Sequence, residues 1–427
     1  MVDIKFIREN KEAVQQAAKN KRIDLDVDKL LNLDEKRRRL MSESESVRAE
    51  QKKLGKENID NARDLKSRFQ EMAQELKEID EKFQKMMLKV PTVPSPDTPV
   101  GKDDADNVEI LQKGEIPKFD FEPKDHIELG KILDILDVER GAKVGGYRGY
   151  YLKNEGAILV SALMFYVFRK MSQKGYAPMI PPTLVKEFAL FGSGYFSGKE
   201  YNPEVDEIYQ VATRDKEKDG AASQDKKFLV GTAEPSLLAY YAGEVLDGAK
   251  LPMKFCGFSQ CYRSEIGSYG KDTKGIYRVH EFMKVEQVVL AKADIEESNK
   301  IQDEMAGISR EIHEDLGLPY RVLQINTGDM SPGKYRAFDI EAWLPGLNRW
   351  GETGSASNFL DWQSRRLNVR YKDENGETKF AYMLNNTALA SPRPFIAILE
   401  NFQQAGGSVV IPKVLRDLCG FEKIERK

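Results

Sequence analysis

Between Cys261 and Glu286 the chain reads CYRSEIGSYGKDTKGIYRVHEFMKVE, with Arg263, Glu265, Arg278, Lys284 and Glu286 in close succession. A strand's period of two would put Arg278, His280, Phe282, Lys284 and Glu286 of RVHEFMKVE on one face. Val279, Met283 and Val285 would then face a core, with Glu281 the exception. LPMKFCGFSQCYR also reads as strand, and Arg263 and Glu265 have equal parity. The intervening IGSYGKDTKG is rich in turn formers, so the unit reads as strand, loop and strand. An ordinary half-buried strand with a wet face would alternate in the same way. The chemistry this charged face suits is a zwitterion beside a polyphosphate. Arginine holds phosphate oxygens through paired charged hydrogen bonds, a carboxylate holds an ammonium or exocyclic amine, and a ring stacks on a base. Burying such groups without partners is costly, so a ligand belongs to the arrangement. Neither a GxxxxGK[ST] loop nor a GxGxxG fingerprint occurs.

The chain has 427 residues, with a net charge of −3 and 41% apolar residues. That length favours two domains. No run of about 18 apolar residues suggests a membrane span. MVDIKFIRENKEAV lacks a signal-segment pattern, so the expected location is the cytoplasm. Cys256, Cys261 and Cys419 and His126, His280 and His313 are scattered, which supports neither zinc nor a disulfide framework.

The elements that must position the charged face follow a long helical region at 28–89. Leu33, Leu40, Val47 and Leu54 recur every seven residues, and Leu65, Phe69, Met72, Leu76, Ile79, Phe83 and Met86 alternate spacings of three and four. That is a heptad seam, broken at NIDNA (58–62), and it predicts an antiparallel hairpin with arms about 40 Å long. Arg37, Ser44 and Gln51 weaken the first arm's seam. Lys36, Arg37, Arg38, Arg39, Arg48, Lys52, Lys53 and Lys56 form either a solvated flank or a grip on a phosphate backbone. VPTVPSPDTPVG (90–101) stops the second arm and sets the domain boundary, giving 1–101 and 102–427. Beyond it, GAILVSALMFYVFRKMSQKGY (156–176) predicts a helix with Gly175 at its C-cap. APMIPPTLV predicts a strand at a sheet edge or interface, because Pro181 and Pro182 cannot donate to a ladder. Residues 212–227 predict an exposed loop, and PFIAILENFQQAGG a late helix with Pro394 in its first turn.

YRSE…RVHEFMKVE resembles the second class motif of the class II seryl-tRNA synthetase family. DIKFIREN, PDTPVG with DNVEI, GAKVGGYRGYYLKNEGAIL, GYAPMIPPTLV, TAE (232–234), TGDM (327–330), WGETGSASNFLDWQSRRLNVRY (350–371) and NTALASPRPFIAILENFQ agree in order, so the likeness spans nearly the whole chain. It implies an α+β fold: an antiparallel sheet flanked by helices, preceded by a coiled-coil hairpin. It further implies ATP-dependent activation of L-serine and transfer to the 3′ end of tRNA(Ser). The hairpin would grip the tRNA's long variable arm, through residues such as Arg37, Arg38, Arg48, Lys52 and Lys53. The same arm would permit tRNA(Sec). The GYAPMIPPTLV region would form a homodimer interface.

By the same resemblance, Arg263 would contact the α-phosphate and steady the serine carboxylate. Glu265 would accept from the adenine amine, Phe282 would stack on the base, and Arg278 and Arg393 would hold the outer phosphates. Glu352 and Ser355 would hold Mg2+, and Arg263, Glu352 and Arg393 would form the catalytic set. Thr232, Glu234, Lys284, Glu286, Asn385 and Thr387 would surround serine, with Glu286 on its ammonium and Thr387 on its hydroxyl. Simpler readings stand beside these: Ser355 as an N-cap, Thr387 as a β-former with a buried hydroxyl, Asn385 as a shaper of the turn, His280 as structural. The chain departs from the family at Pro392, where glycine is usual, and in 192–209 and 212–227. Two other classes fit parts of the pattern: a relative that loads an amino acid on a carrier protein, and a catalytically silent scaffold.

Overall fold

The structure, a computed structural model, describes residues 1–53, 59–196, 198, 200–212, 216, 220, 226–266 and 274–426. Leu54, Lys56 and the start of the expected turn at 58–62, most of the loop at 212–227, and the centre of the Cys261–Glu286 hairpin lie outside the described residues, as does the side chain of Lys53. The chain forms two compact units, Met1–Val93 and Pro94–Lys427. The division falls inside the proline-rich segment. Its later residues belong to the second unit, where Tyr335 O accepts from the Ser95 amide and Asp97 O accepts from Gln324.

The first unit contains α1 (Ile4–Glu9), α2 (Lys11–Asn20), α3 (Val27–Lys53) and α4 (Ile59–Lys89). α3 and α4 pack along each other. Leu40, Val47, Ile79, Phe83 and Met87 are buried, while the seam positions Leu33, Leu65, Phe69, Met72, Leu76 and Met86 are half-buried. At its base, Ile7, Val14, Ala18, Val27 and Leu30 join Phe83 and Met87 in a small core. Arg37 occupies its weak seam position productively: it pairs with Asp80 at 2.6 Å and lies 5.3 Å above the Phe83 ring.

The second unit is built on an eight-stranded sheet: β1 (Val108–Lys113), β2 (Ala177–Met179), β3 (Met253–Tyr262), β4 (Glu281–Ala291), β5 (Tyr320–Gln324), β6 (Arg336–Leu344), β7 (Arg349–Asn358) and β8 (Tyr382–Ala390). The order is β1-β5-β6-β7-β8-β4-β3-β2, antiparallel except for the β2–β3 pair. β2 is an edge strand holding Pro178, and it ends before Pro181 and Pro182. Helices α5 (Asn154–Gln173), α6 (Ile295–Leu316) and α7 (Pro392–Asn401) cover the sheet. α5 buries Leu159, Leu163, Val167 and Met171 on one stripe. It ends at Gly175 (φ +86), where the Tyr176 amide donates to Met171 O and the Gly175 amide to Ser172 O. Pro392 takes the first position of α7, where its missing N–H has no helical partner to lose.

The predicted hairpin is formed by β3 and β4, with Tyr262 opposite Glu281. The second strand begins at Glu281 rather than Arg278. Arg278 and His280 lie in the approach to it, because the Arg263 amide donates to His280 O while His280 Nδ1 contacts Arg263 O at 2.8 Å, closing the loop before the ladder starts. His280 is thus a structural clasp.

Candidate active site

A cleft of about 580 Å³, its open mouth included, lies over the β3–β4 hairpin and the start of α7. Arg263, Glu265, Tyr277, Arg278, Phe282, Lys284, Glu352, Thr387 and Arg393 all line it. Arg263 follows the last residue of β3. Its Nε donates to Gly231 O at 3.3 Å, and its guanidinium sits 5.5 Å from the Phe282 ring. Burial works against its charge, but Tyr195, Cys261, Glu352 and Glu265 more than offset this, so its pKa lies above the ordinary arginine value. Glu265 adopts φ +55, a conformation that an L side chain takes only when its surroundings impose it. There it accepts from Arg278 Nη1 at 2.6 Å, with Arg148 Nη1 at 3.7 Å. Arg393, at the start of α7, donates to Glu352 O at 2.7 Å and to Glu352 Oε2 at 3.1 Å, and lies 4.4 Å from the Tyr277 ring.

At the inner end, Lys284 Nζ lies 2.6 Å from Glu286 Oε2 and donates to Thr387 Oγ1 at 3.0 Å. Thr387 Oγ1 donates in turn to Glu286 Oε2 at 3.2 Å. A second buried carboxylate, Glu234, accepts from Gln363 Nε2 at 2.7 Å, Asn385 Nδ2 at 2.8 Å and the Tyr195 hydroxyl at 3.0 Å. Burial, and next the charge of Glu286, push Glu234 up to about 7. The Tyr195 hydroxyl is likewise raised well above its ordinary value by burial. Thr232 accepts from the Glu234 amide at 3.3 Å. Two acids so close, one of them half-protonated near neutrality, form a pocket that would gain from a cation.

A third acidic group faces the cleft from β6 and β7. Asp339 stands opposite Ser355 in the ladder and is pushed up to about 7 by burial and by Glu352. Burial also works against the Glu352 carboxylate, but Arg393 and Arg263 pull its pKa below the ordinary value. Although deep in the cleft, Glu352 keeps 45% of its side-chain surface exposed. No cluster of three His, Cys, Asp or Glu side chains suited to a metal occurs among the described residues, and the three cysteines are buried free thiols.

The structure therefore brings Arg263, Glu265, Arg278, Phe282, Lys284, Glu352, Thr387 and Arg393 together in one cleft, with Glu286 bonded to two of them. Thr232, Glu234 and Asn385 form the adjoining acid site. Ser355 lies within β7, not at a helix N-cap, and Asn385 lies within β8, not in a turn. Arg37 and Arg38 are engaged inside the first unit, Arg38 with Asp34 at 3.1 Å although its side chain stays exposed, as do Arg48 and Lys52. Tyr195, Gln363, Arg148 and Asp339 carry parts of the site that sequence reasoning missed. Gln363 lies inside WGETGSASNFLDWQSRRLNVRY, and Arg148 inside GGYRGYY, but neither residue type signals a role there. Tyr195 sits where Gly194 (φ +91) turns the chain close against Trp362.

An antiparallel sheet with a hairpin that carries arginines and carboxylates into such a cleft, and a further arginine at the head of the last long helix, defines the core of a class II aminoacyl-tRNA synthetase. Residues 215–402 match the tRNA synthetase class II core domain (G, H, P, S and T), and residues 1–94 match the seryl-tRNA synthetase N-terminal domain. The serine--tRNA ligase of Treponema denticola is 41% identical over 440 residues, covering 99% of this chain and all of that protein. That of Dictyoglomus turgidum is 38% identical over 441 residues, with both chains fully covered. Among solved structures, seryl-tRNA synthetase from Pyrococcus horikoshii complexed with ATP superposes with a TM-score of 0.89 at 36% identity, with both chains fully covered. Prolyl-tRNA synthetase of Giardia lamblia, at 16% identity and a TM-score of 0.56 over 68% of this chain and 53% of that one, shares the fold. The chain belongs to the seryl-tRNA synthetase family.

Proposed function

We propose that the chain activates L-serine with ATP to seryl-adenylate, releases pyrophosphate, and passes the seryl group to the 3′ end of tRNA(Ser). The observation that carries this is the single cleft in which Arg263, Arg278 and Arg393 stand with Phe282 and Glu265 beside the Glu234–Glu286 acid site. The serine carboxylate attacks the α-phosphorus in line. With a carboxyl pKa of about 3.5 it is already ionised at neutral pH, so this step needs no general base. The work left to the protein is placement and charge neutralisation. Arg263 contacts the α-phosphate and steadies the attacking carboxylate, while Arg278 and Arg393 hold the outer phosphates. Glu265 accepts from the adenine amine, and Phe282 stacks beneath the base. Glu286 and Glu234 hold the ammonium, Thr387 reads the hydroxyl, and Thr232, Asn385 and Lys284 complete the pocket.

Glu352 and Ser355 are the residues for Mg2+, joined by Asp339. Asp339 stands opposite Ser355 in the β6–β7 ladder, which puts a second carboxylate beside that pair. When bound, the ion would neutralise phosphate charge as a Lewis acid. The α3–α4 hairpin suits a tRNA with a long variable arm better than a carrier protein, and tRNA(Sec) shares that arm. The chain acts as a homodimer through the region of β2, in the cytoplasm. No helix among the described residues is long and apolar enough to cross a membrane.

Serine-dependent ATP–pyrophosphate exchange tests the first step. Arg263→Ala should reduce exchange by at least about a hundredfold, the order seen when one donor to developing charge is removed. Normal turnover in that variant would take Arg263 out of the chemistry.

A further inference from the structure

A buried cluster joins four segments far apart in the chain. His126, 2% exposed, begins the helix His126–Ile132, and Glu400 lies fully buried near the end of α7. Glu400 Oε1 accepts from the His126 amide at 2.9 Å and lies 2.9 Å from His126 Nδ1; Glu400 Oε2 accepts from the Gly346 amide at 2.9 Å. A carboxylate oxygen facing Nδ1 calls for the proton there, which leaves Nε2 with its lone pair. The Ile276 amide donates to that Nε2 at 3.3 Å. Immediately before it, Gly275 (φ +67) runs so close to the ring that a Cβ would fall 2.0 Å from Nε2. The next two residues are Tyr277 and Arg278. Tyr277 O accepts from Arg393 Nε at 3.3 Å, and its ring lies 4.4 Å from the Arg393 guanidinium and 4.9 Å from that of Arg349. Arg278 holds Glu265.

We propose that His126 is a positioning residue for ATP. By accepting from the Ile276 amide it pins residues 275–278, and through Tyr277 and Arg278 it sets both the arginine of the hairpin and the arginine of α7. The other end of the tether, Glu400, belongs to the same helix as Arg393, so one carboxylate fixes both arginines to a common base. In the proposed site none of these groups would contact serine. This role rests on the cleft being the ATP site.

The test is exchange kinetics on the full chain, with ATP and serine varied separately in wild type, His126→Leu, His126→Gln and Gly275→Ala. Leucine removes the acceptor, glutamine returns an oxygen at the reach of Nε2, and Gly275→Ala keeps every partner but drives a Cβ into the ring. The KM for ATP should rise about tenfold in His126→Leu and Gly275→Ala, the order expected when one buried amide loses its partner. The KM for serine should not move, and His126→Gln should keep wild-type values. An unshifted KM for ATP, equal shifts for both substrates, or a glutamine variant as impaired as the leucine one would overturn the assignment. Thermal unfolding of each variant checks folding, and Gly275→Ala carries the comparison if His126→Leu does not fold. Wild-type protein without serine-dependent exchange would instead strike at the proposed function.

Discussion

Thr387 is the residue we propose reads the serine hydroxyl. Its hydroxyl accepts from Lys284 and donates to Glu286, so Thr387→Val removes a reader of the serine hydroxyl and leaves two buried charges a bond short. The kcat/KM for serine in exchange should drop about ten- to a hundredfold, with the KM for ATP unchanged; unaltered serine kinetics would remove Thr387 from the pocket. Glu234 makes a prediction about pH. Its carboxyl is raised from an ordinary 4.5 to about 7, so the folded protein binds a proton there that the unfolded chain has released. The stability tied to that proton is complete below 4.5 and is lost as pH rises to about 7. Thermal unfolding of the ligand-free protein should show Glu234→Gln gaining on wild type across that window and running parallel to it above. A difference independent of pH would show that Glu234 is ionised throughout. Arg263, Glu265, Arg278, Phe282, Lys284 and Glu286 were legible as one short charged run, whereas Glu234, Glu352, Asn385, Thr387 and Arg393 were reached only through the family resemblance. Asp339, Tyr195 and Gln363 were legible in neither way. Each reaches the site from a separate element, Asp339 from a strand, Tyr195 from a loop and Gln363 from the helix Trp362–Leu367, and only the fold makes Asp339 a neighbour of Ser355.

At the scale of elements, periodicity is the most legible signal. The heptad seam marks both arms of the hairpin, and the prolines of APMIPPTLV mark an edge strand. β4 starts three residues later than alternation predicts, since side chains go on alternating through an approach segment that makes no ladder bonds. The hairpin's basic flank divides in a way the sequence does not reveal. Arg37 and Arg38 each hold an aspartate, Asp80 and Asp34, with Arg38 still exposed, and Arg48 and Lys52 are exposed too. Arg48→Glu combined with Lys52→Glu should therefore weaken tRNA charging. Its dependence on salt should flatten by about one unit of log–log slope for each phosphate the arm no longer neutralises. Serine-dependent exchange should be untouched. Impaired exchange would mean that the arm does more than hold tRNA.

For the whole molecule, the proposed homodimer would form at the edge of the sheet. Ile180, just past β2, is 82% exposed, and Ile158 and Phe165 project from α5. Ile180→Asp should convert the homodimer to a monomer in sedimentation; an undisturbed dimer would move the interface elsewhere. The division into two units was legible because prolines end α4, but the packing of Ser95 and Asp97 into the second unit depends on partners more than two hundred residues away. The cleft's own ion pairs govern how it fills. Arg278, Arg393 and Lys284 each already hold a carboxylate, at 2.6, 3.1 and 2.6 Å. The chamber is thus nearly electroneutral by itself, and an arriving nucleotide must trade counter-ions rather than be drawn in by bare charge. Capture of ATP should therefore depend only shallowly on ionic strength.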